Sequence, residues 1–260
     1  MKPTQTNGKM NELKIKDGDK ETVYNAPACF DEMSRTQFIE TCGYALGKID
    51  ADSYTISMLG MDRKLWDELE VFHRYVIRSM FAFVEIANPE ISKQLLPFIE
   101  VAGQRFIGYQ PNFSNTTWEE FIFADQYIMN GKFREVAAVL YRPQRTGYSG
   151  ETDRRIPFTV YGTDSRLKLF AEMDEAQLLA FAVNYRALRK RNMEEKYPFV
   201  FSVQKEKTAQ EEQTASFSWI AIHRDLMGDQ FYDETKFFST NVHVILNRLN
   251  QTIKRSTVKR

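Results

Sequence analysis

The chain has 260 residues and balances 35 Lys and Arg against 35 Asp and Glu, so its formal net charge is zero. That balance disfavours a nucleic-acid binder, whose affinity comes largely from a basic excess, and the absence of global self-repulsion favours association with itself or with a partner. Two cysteines, Cys29 and Cys42, are too few for a disulfide framework, while 20 Phe, 12 Tyr and 3 Trp supply the bulk for a core.

Residues 1–25 are rich in Lys, Asp, Asn and Thr and have few apolar anchors, which predicts a disordered tail and no secretory leader. Ser34 or Thr36 can cap a helix carrying Phe38, Ile39, Cys42, Ala45 and Leu46 at helical spacing. Asp62 then opens a second helix. Leu65, Trp66, Leu69, Phe72, Val76 and Met80 form its core-facing stripe, and Pro89 stops it at Asn88. Ser92 caps a short element through Leu95, Leu96 and Ile99, and residues 101–115 read as irregular.

Thr117-Trp-Glu-Glu120 fits a capping box. It opens one arm of a helical hairpin at about 117–141, turned at Asn130-Gly131 and closed by Arg142-Pro143. Residues 144–155 read as a polar loop with no need to pack. Ile156–Val160 reads as a strand that pairs with about 199–203. Asp164 or Ser165 starts a helix through Phe170, and Asp174 caps a long helix with Leu178, Leu179, Phe181, Tyr185 and Leu188 inward.

The segment 204–216, QKEKTAQEEQTAS, is the clearest linker in the chain. Beyond it, two helices at about 217–228 and 233–253 predict a C-terminal hairpin. The expected organisation is therefore a tail (1–25), a helical domain (26–203), a linker (204–216) and a helical hairpin (217–260). The fold class is mainly α: an irregular multi-helix bundle with at most a small strand pair.

Motifs that suggest chemistry are incomplete. His223-Arg-Asp-Leu226 spells the start of a kinase catalytic loop, but Gln230 stands where an Asn should bind magnesium, and no Asp-Phe-Gly follows. Gly43-Tyr-Ala-Leu-Gly47-Lys48 lacks one spacer residue and the following Ser or Thr of a phosphate loop. Glu70-Val-Phe-His73 occurs once, whereas a carboxylate-bridged diiron bundle needs two such motifs. The reading therefore assigns no catalytic residue, no metal ligand and no cofactor. Candidate partner-binding residues are the basic helix end Arg186, Arg189, Lys190 and Arg191, and the aromatic pair Phe237 and Phe238. A solvated helix end that complements the dipole is the competing account of the basic cluster. Two alternatives remain open. One is an enzyme whose site gathers scattered residues such as Glu70, His73 and Asp125. The other is an adaptor that holds an acidic partner through Arg186–Arg191.

Three stretches carry a resemblance. They are Asp31-Glu-Met-Ser-Arg-Thr-Gln-Phe-Ile39; the pair Asn115-Thr-Thr-Trp-Glu-Glu-Phe-Ile-Phe-Ala-Asp125 and Val136-Ala-Ala-Val-Leu-Tyr-Arg-Pro143; and Tyr197-Pro-Phe-Val-Phe201. Together they resemble helical proteins of prophages and tailed phages of Bacteroidetes-type bacteria, in the tail-assembly-chaperone group. The resemblance implies a non-enzymatic tail assembly or structural protein, in the host cytoplasm or in the virion. Its partner would be a tape-measure-like helical protein, with no membrane and no nucleic acid involved. It transfers no catalytic site.

Overall fold

The computed structural model describes residues 10–17, 20–85, 89–150, 153–201, 219–227 and 233–258. The chain is mainly helical, with two small antiparallel hairpins among the described residues. It divides into two units. One holds residues 1–95 and 174–187, and the other holds 96–173 and 188–260. These units cut across the expected helical segment 26–203, and the second takes in the C-terminal segment. The 204–216 linker lies outside the described residues.

In the first unit the described part of the expected tail is a hairpin, β1 (Asn11–Asp17) paired with β2 (Lys20–Ala26), while 1–9 lie outside the described residues. Leu13 faces Tyr24 across the ladder, Ile15 faces Thr22, and Asn11 faces Ala26. Side chains alternate between faces along a strand, so these residues share one side, while Glu12, Lys14 and Lys16 take the other. Leu13, Ile15, Tyr24 and Ala26 pack on a core of Tyr54, Met58, Leu59, Met61, Trp66, Ile77 and Phe81. That burial is what holds a hairpin of otherwise polar composition.

Helix α1 (Arg35–Ala45) opens on the Ser34 capping box, with Gln37 returning the bond. Asp50 caps α2 (Ala51–Leu59), and Gly60 ends it at φ 62°, a left-handed position that suits glycine. Asp62 does cap a helix, but α3 (Arg63–Glu68) is short. Leu69 and Glu70 are extended, and a separate α4 (Val71–Ser79) follows. The break rotates the expected stripe, so that Trp66 and Ile77 are buried while Phe72 is exposed. Asp174 caps α8 (Glu175–Arg189) by accepting from Ala176 N at 2.8 Å. Asn184 on this helix accepts from Leu95 N and donates to Lys93 O, which ties the 92–95 turn in place.

The second unit begins with β3 (Phe98–Val101) and β4 (Gln104–Ile107), a hairpin inside a segment expected to be irregular. Its turn places Ala102 at φ 49° and Gly103 at φ 72°. The expected helical hairpin is present as α5 (Trp118–Met129) and α6 (Phe133–Leu140). The capping box is complete: Glu120 N donates to Thr117 Oγ1 at 3.3 Å and Thr117 N donates to Glu120 Oε2 at 2.9 Å.

No strand forms over 156–160 among the described residues. Thr159 caps α7 (Val160–Phe170), and 198–201 is a helical turn. The C-terminal segment carries three described helices rather than two: α9 (Trp219–Met227), α10 (Glu234–Phe238) and α11 (Val242–Val258). Asn241 joins α11 to the head of α5 by donating to Ser114 O at 2.7 Å, and Trp118 N donates to Thr240 O at 2.8 Å.

Candidate functional site

Glu120 and Asp125 of α5 point inward. Glu120 is fully buried and accepts from Arg142 Nη2 at 2.8 Å, and Arg155 Nη2 lies 3.1 Å from the same oxygen. Asp153 closes the network by accepting from both arginines, at 3.0 Å from Arg142 and 2.9 Å from Arg155 Nε. The remaining Arg155 donors go to the carbonyls of Leu140 and Asn115. The expected free loop 144–155 is thus anchored at its end by a buried arginine, because two guanidinium groups and two carboxylates neutralise each other out of water.

Burial would raise the Asp153 carboxyl, but the hydrogen bonds and charge of Arg155, with Arg142 behind it, hold it below the ordinary range. Arg166 donates to Ala138 O at 2.7 Å and is drawn down to about 10, chiefly by burial and then by the charge of Arg142. It stays charged at neutral pH.

A second centre joins α5 to the end of α8. Arg189 Nε donates to Asp125 Oδ1 at 2.6 Å, and Arg189 also pairs with Glu194. Trp219 Nε1 donates to the other Asp125 oxygen at 2.5 Å. The Trp219 ring packs edge-on to Trp118, Phe121 and Phe201. These centres are closed: each donor and acceptor just named is spent on the fold.

His223 is buried and His243 half-buried; each ring is held by a hydrogen bond at Nδ1, and His243 by a second at Nε2. Indole N–H can only donate, so Trp118 Nε1, 3.3 Å from His223 Nδ1, fixes that nitrogen as acceptor and puts the proton on Nε2, which faces Glu234 at 3.6 Å. His243 Nε2 donates to Asn112 O at 2.6 Å, which leaves Nδ1 to accept from Tyr197 OH at 2.8 Å. Burial lowers both imidazoles below their ordinary value, His223 against the opposing pull of Glu234. Neither ring has a nitrogen free to take a substrate proton. Lys196, Tyr197, His243, Val244 and Asn247 line a shallow groove of about 470 Å³ beside this pair.

The residues singled out from sequence are scattered. Arg186, Lys190 and Arg191 are exposed, but Arg189 is not part of a free basic helix end. Its partner Asp125 lies 64 positions away, a contact that no local pattern signals. Phe237 and Phe238 do not form a free aromatic face. Both are half-buried against His223, Phe238 stacked at 4.1 Å and Phe237 edge-on at 5.2 Å. Glu70 and His73 are exposed neighbours 3.9 Å apart in the first unit, whereas Asp125 is buried in the second and already bonded. Among the described residues no three His, Cys, Asp or Glu side chains gather as a metal site, and no helix is long and apolar enough to cross a membrane.

The surface feature that sequence periodicity missed is on α4. Val71, Phe72 and Tyr75 are 76%, 69% and 68% exposed. Residues three and four apart share a helical face, so the three side chains form one apolar ridge. Scattered exposed apolar residues are ordinary, whereas these three are contiguous.

Compared with models of protein families, with curated proteins and with solved structures, the chain matches none. The stretches behind the phage-tail resemblance supply fold rather than site: Glu120, Asp125 and Arg142 are the buried charges, and Trp118 and Phe201 belong to the aromatic core.

Proposed function

We propose that this chain is a non-enzymatic protein of phage-tail assembly, chaperone-like or structural, that holds a helical partner through the α4 ridge. The observation that carries the reading is the exposure of Val71, Phe72 and Tyr75 on a single face. An apolar ridge of this spacing fits the groove between side-chain rows of an amphipathic helix, and aromatic anchors dominate such interfaces. The resemblance supplies the setting, in which a long, helical, aggregation-prone tape-measure chain needs reversible capture. Glu70 and His73 beside the ridge give it a polar rim.

The test is copurification from cells expressing the tail genes, with wild type beside Phe72→Ser/Tyr75→Ser. A helix-rich tape-measure-type chain retained by the wild type and lost from the variant supports the reading. Retention of no tail component, or equal retention by both, defeats it.

A further inference from the structure

Thr235 to Arg260 contains six Lys and Arg and no Asp or Glu, although the chain as a whole is balanced. Helix α11 carries three of these, Arg248, Lys254 and Arg255, on its exposed side. Val242, Ile245, Leu246 and Leu249 are buried. Val244, Arg248, Gln251 and Arg255, spaced by four, three and four, are exposed, with Lys254 beside them. Lys196 joins the same surface through the groove it shares with Val244 and Asn247.

Elsewhere on the surface Lys14, Lys48, Arg63, Arg78 and Arg105 have a carboxylate within ion-pair distance, while Lys64, Lys132 and Lys168 have none among the described residues but stand apart from one another in sequence. Among the described residues Lys196, Arg248, Lys254 and Arg255 pair with none. The Lys196 and Lys254 ammonium groups instead lie over the rings of Tyr197 and Phe199, at 5.6 Å and 5.8 Å.

We propose that the outer face of α11, with Lys196, binds the phosphodiester backbone of a nucleic acid without reading its bases. Arg248 and Arg255 stand two turns apart, a rise of about 10.5 Å, and one strand of a duplex places about three phosphates in that length. Asn247 and Gln251 lie on or beside the same face and are neutral donor types that phosphate oxygens take. An acidic protein is the poorer fit. Protein interfaces need a buried aromatic or aliphatic anchor, and this face offers only Val244. The zero net charge of the chain hides the local excess, which is why whole-chain composition points the other way.

The test is fluorescence anisotropy of the full chain with a labelled duplex of about 20 base pairs, at about 50 and about 200 mM salt. Neutralising about four phosphates predicts a log–log slope near −3.6, an affinity loss of about 100-fold between those salts. Arg248→Gln/Lys254→Gln/Arg255→Gln alters only exposed side chains. With its circular dichroism unchanged, it should bind at least about ten-fold more weakly, with a slope near −1. No binding at the lower salt overturns the proposal, as does a triple variant that binds like wild type. Polyglutamate that binds as tightly as the duplex, and is lost in the same variant, also overturns it and assigns the face to an acidic protein. A much weaker polyglutamate supports it.

Discussion

Arg142 Nη2 lies 2.8 Å from Glu120 Oε1, with both side chains closed off from solvent. Glu120 also caps α5 through Oε2, so one residue starts the helix and neutralises the arginines beneath it. Glu120→Ala removes both roles and leaves Asp153 as the one carboxylate of the network facing Arg142 and Arg155. Breaking a buried pair from one side costs about 3–5 kcal/mol. Urea unfolding followed by Trp fluorescence checks this, since Trp118 and Trp219 both report on the second unit. A loss below about 1 kcal/mol would mean that the network contributes little.

Stability should fall as the solution turns mildly acidic. His223 and His243 have folded values below the ordinary 6.5, so below that pH the unfolded chain binds more protons than the folded one. The stability they contribute is present above about 6.5 and declines as pH falls through their lowered folded values. Asp153, also lowered, adds a second decline only below the usual carboxylate range. Protonated His223 can no longer accept from Trp118, so α9 should loosen first. His223→Gln/His243→Gln should flatten the curve between pH 6.5 and 5, measured by urea midpoints. An unchanged slope would place its origin elsewhere.

Ala102 occupies a left-handed position at φ 49° in the turn between β3 and β4. An L-residue there costs roughly 1–2 kcal/mol, while glycine adds chain entropy of about 0.4–1 kcal/mol on unfolding. Ala102→Gly should therefore stabilise by about 0.5 kcal/mol, visible as a raised denaturation midpoint. A fall in midpoint would contradict the turn geometry.

The two thiols should differ sharply in reactivity. Burial pushes Cys42 up to about 12, which leaves almost no thiolate at neutral pH, and Cys29 is exposed. Maleimide labelling counted by mass should give one adduct on the native chain and two after denaturation. Two native adducts would mean that the first unit opens readily.

Local chemistry was legible in the sequence, and partners distant along the chain were not. The caps at Ser34, Asp62, Thr117 and Asp174 form where their side chains indicate, because each bond closes within about three residues. The hairpin Asn11–Ala26 carried a readable signal: Leu13 and Ile15 alternate with charged residues, and the sequence between the strands, Gly-Asp, is of a turn-forming type. Polar composition masked it. The break at Leu69-Glu70 has no proline or glycine to announce it, so the periodicity from Leu65 ran on through Phe72 and placed an exposed residue in the core. Arg189 looked like a solvated helix end because Asp125 and Trp219, which fix its role, are far away in sequence.

That misread helix carries the central claim. Phe72→Ser and Tyr75→Ser should each change folding stability by less than about 0.5 kcal/mol, as exposed substitutions do. The most direct measurement places a photo-crosslinking amino acid at position 72 in full-length protein expressed with the tail genes. The expected result is a crosslink to a helix-rich tape-measure-type chain. A crosslink only to a second copy of this chain, or none at all, would contradict it.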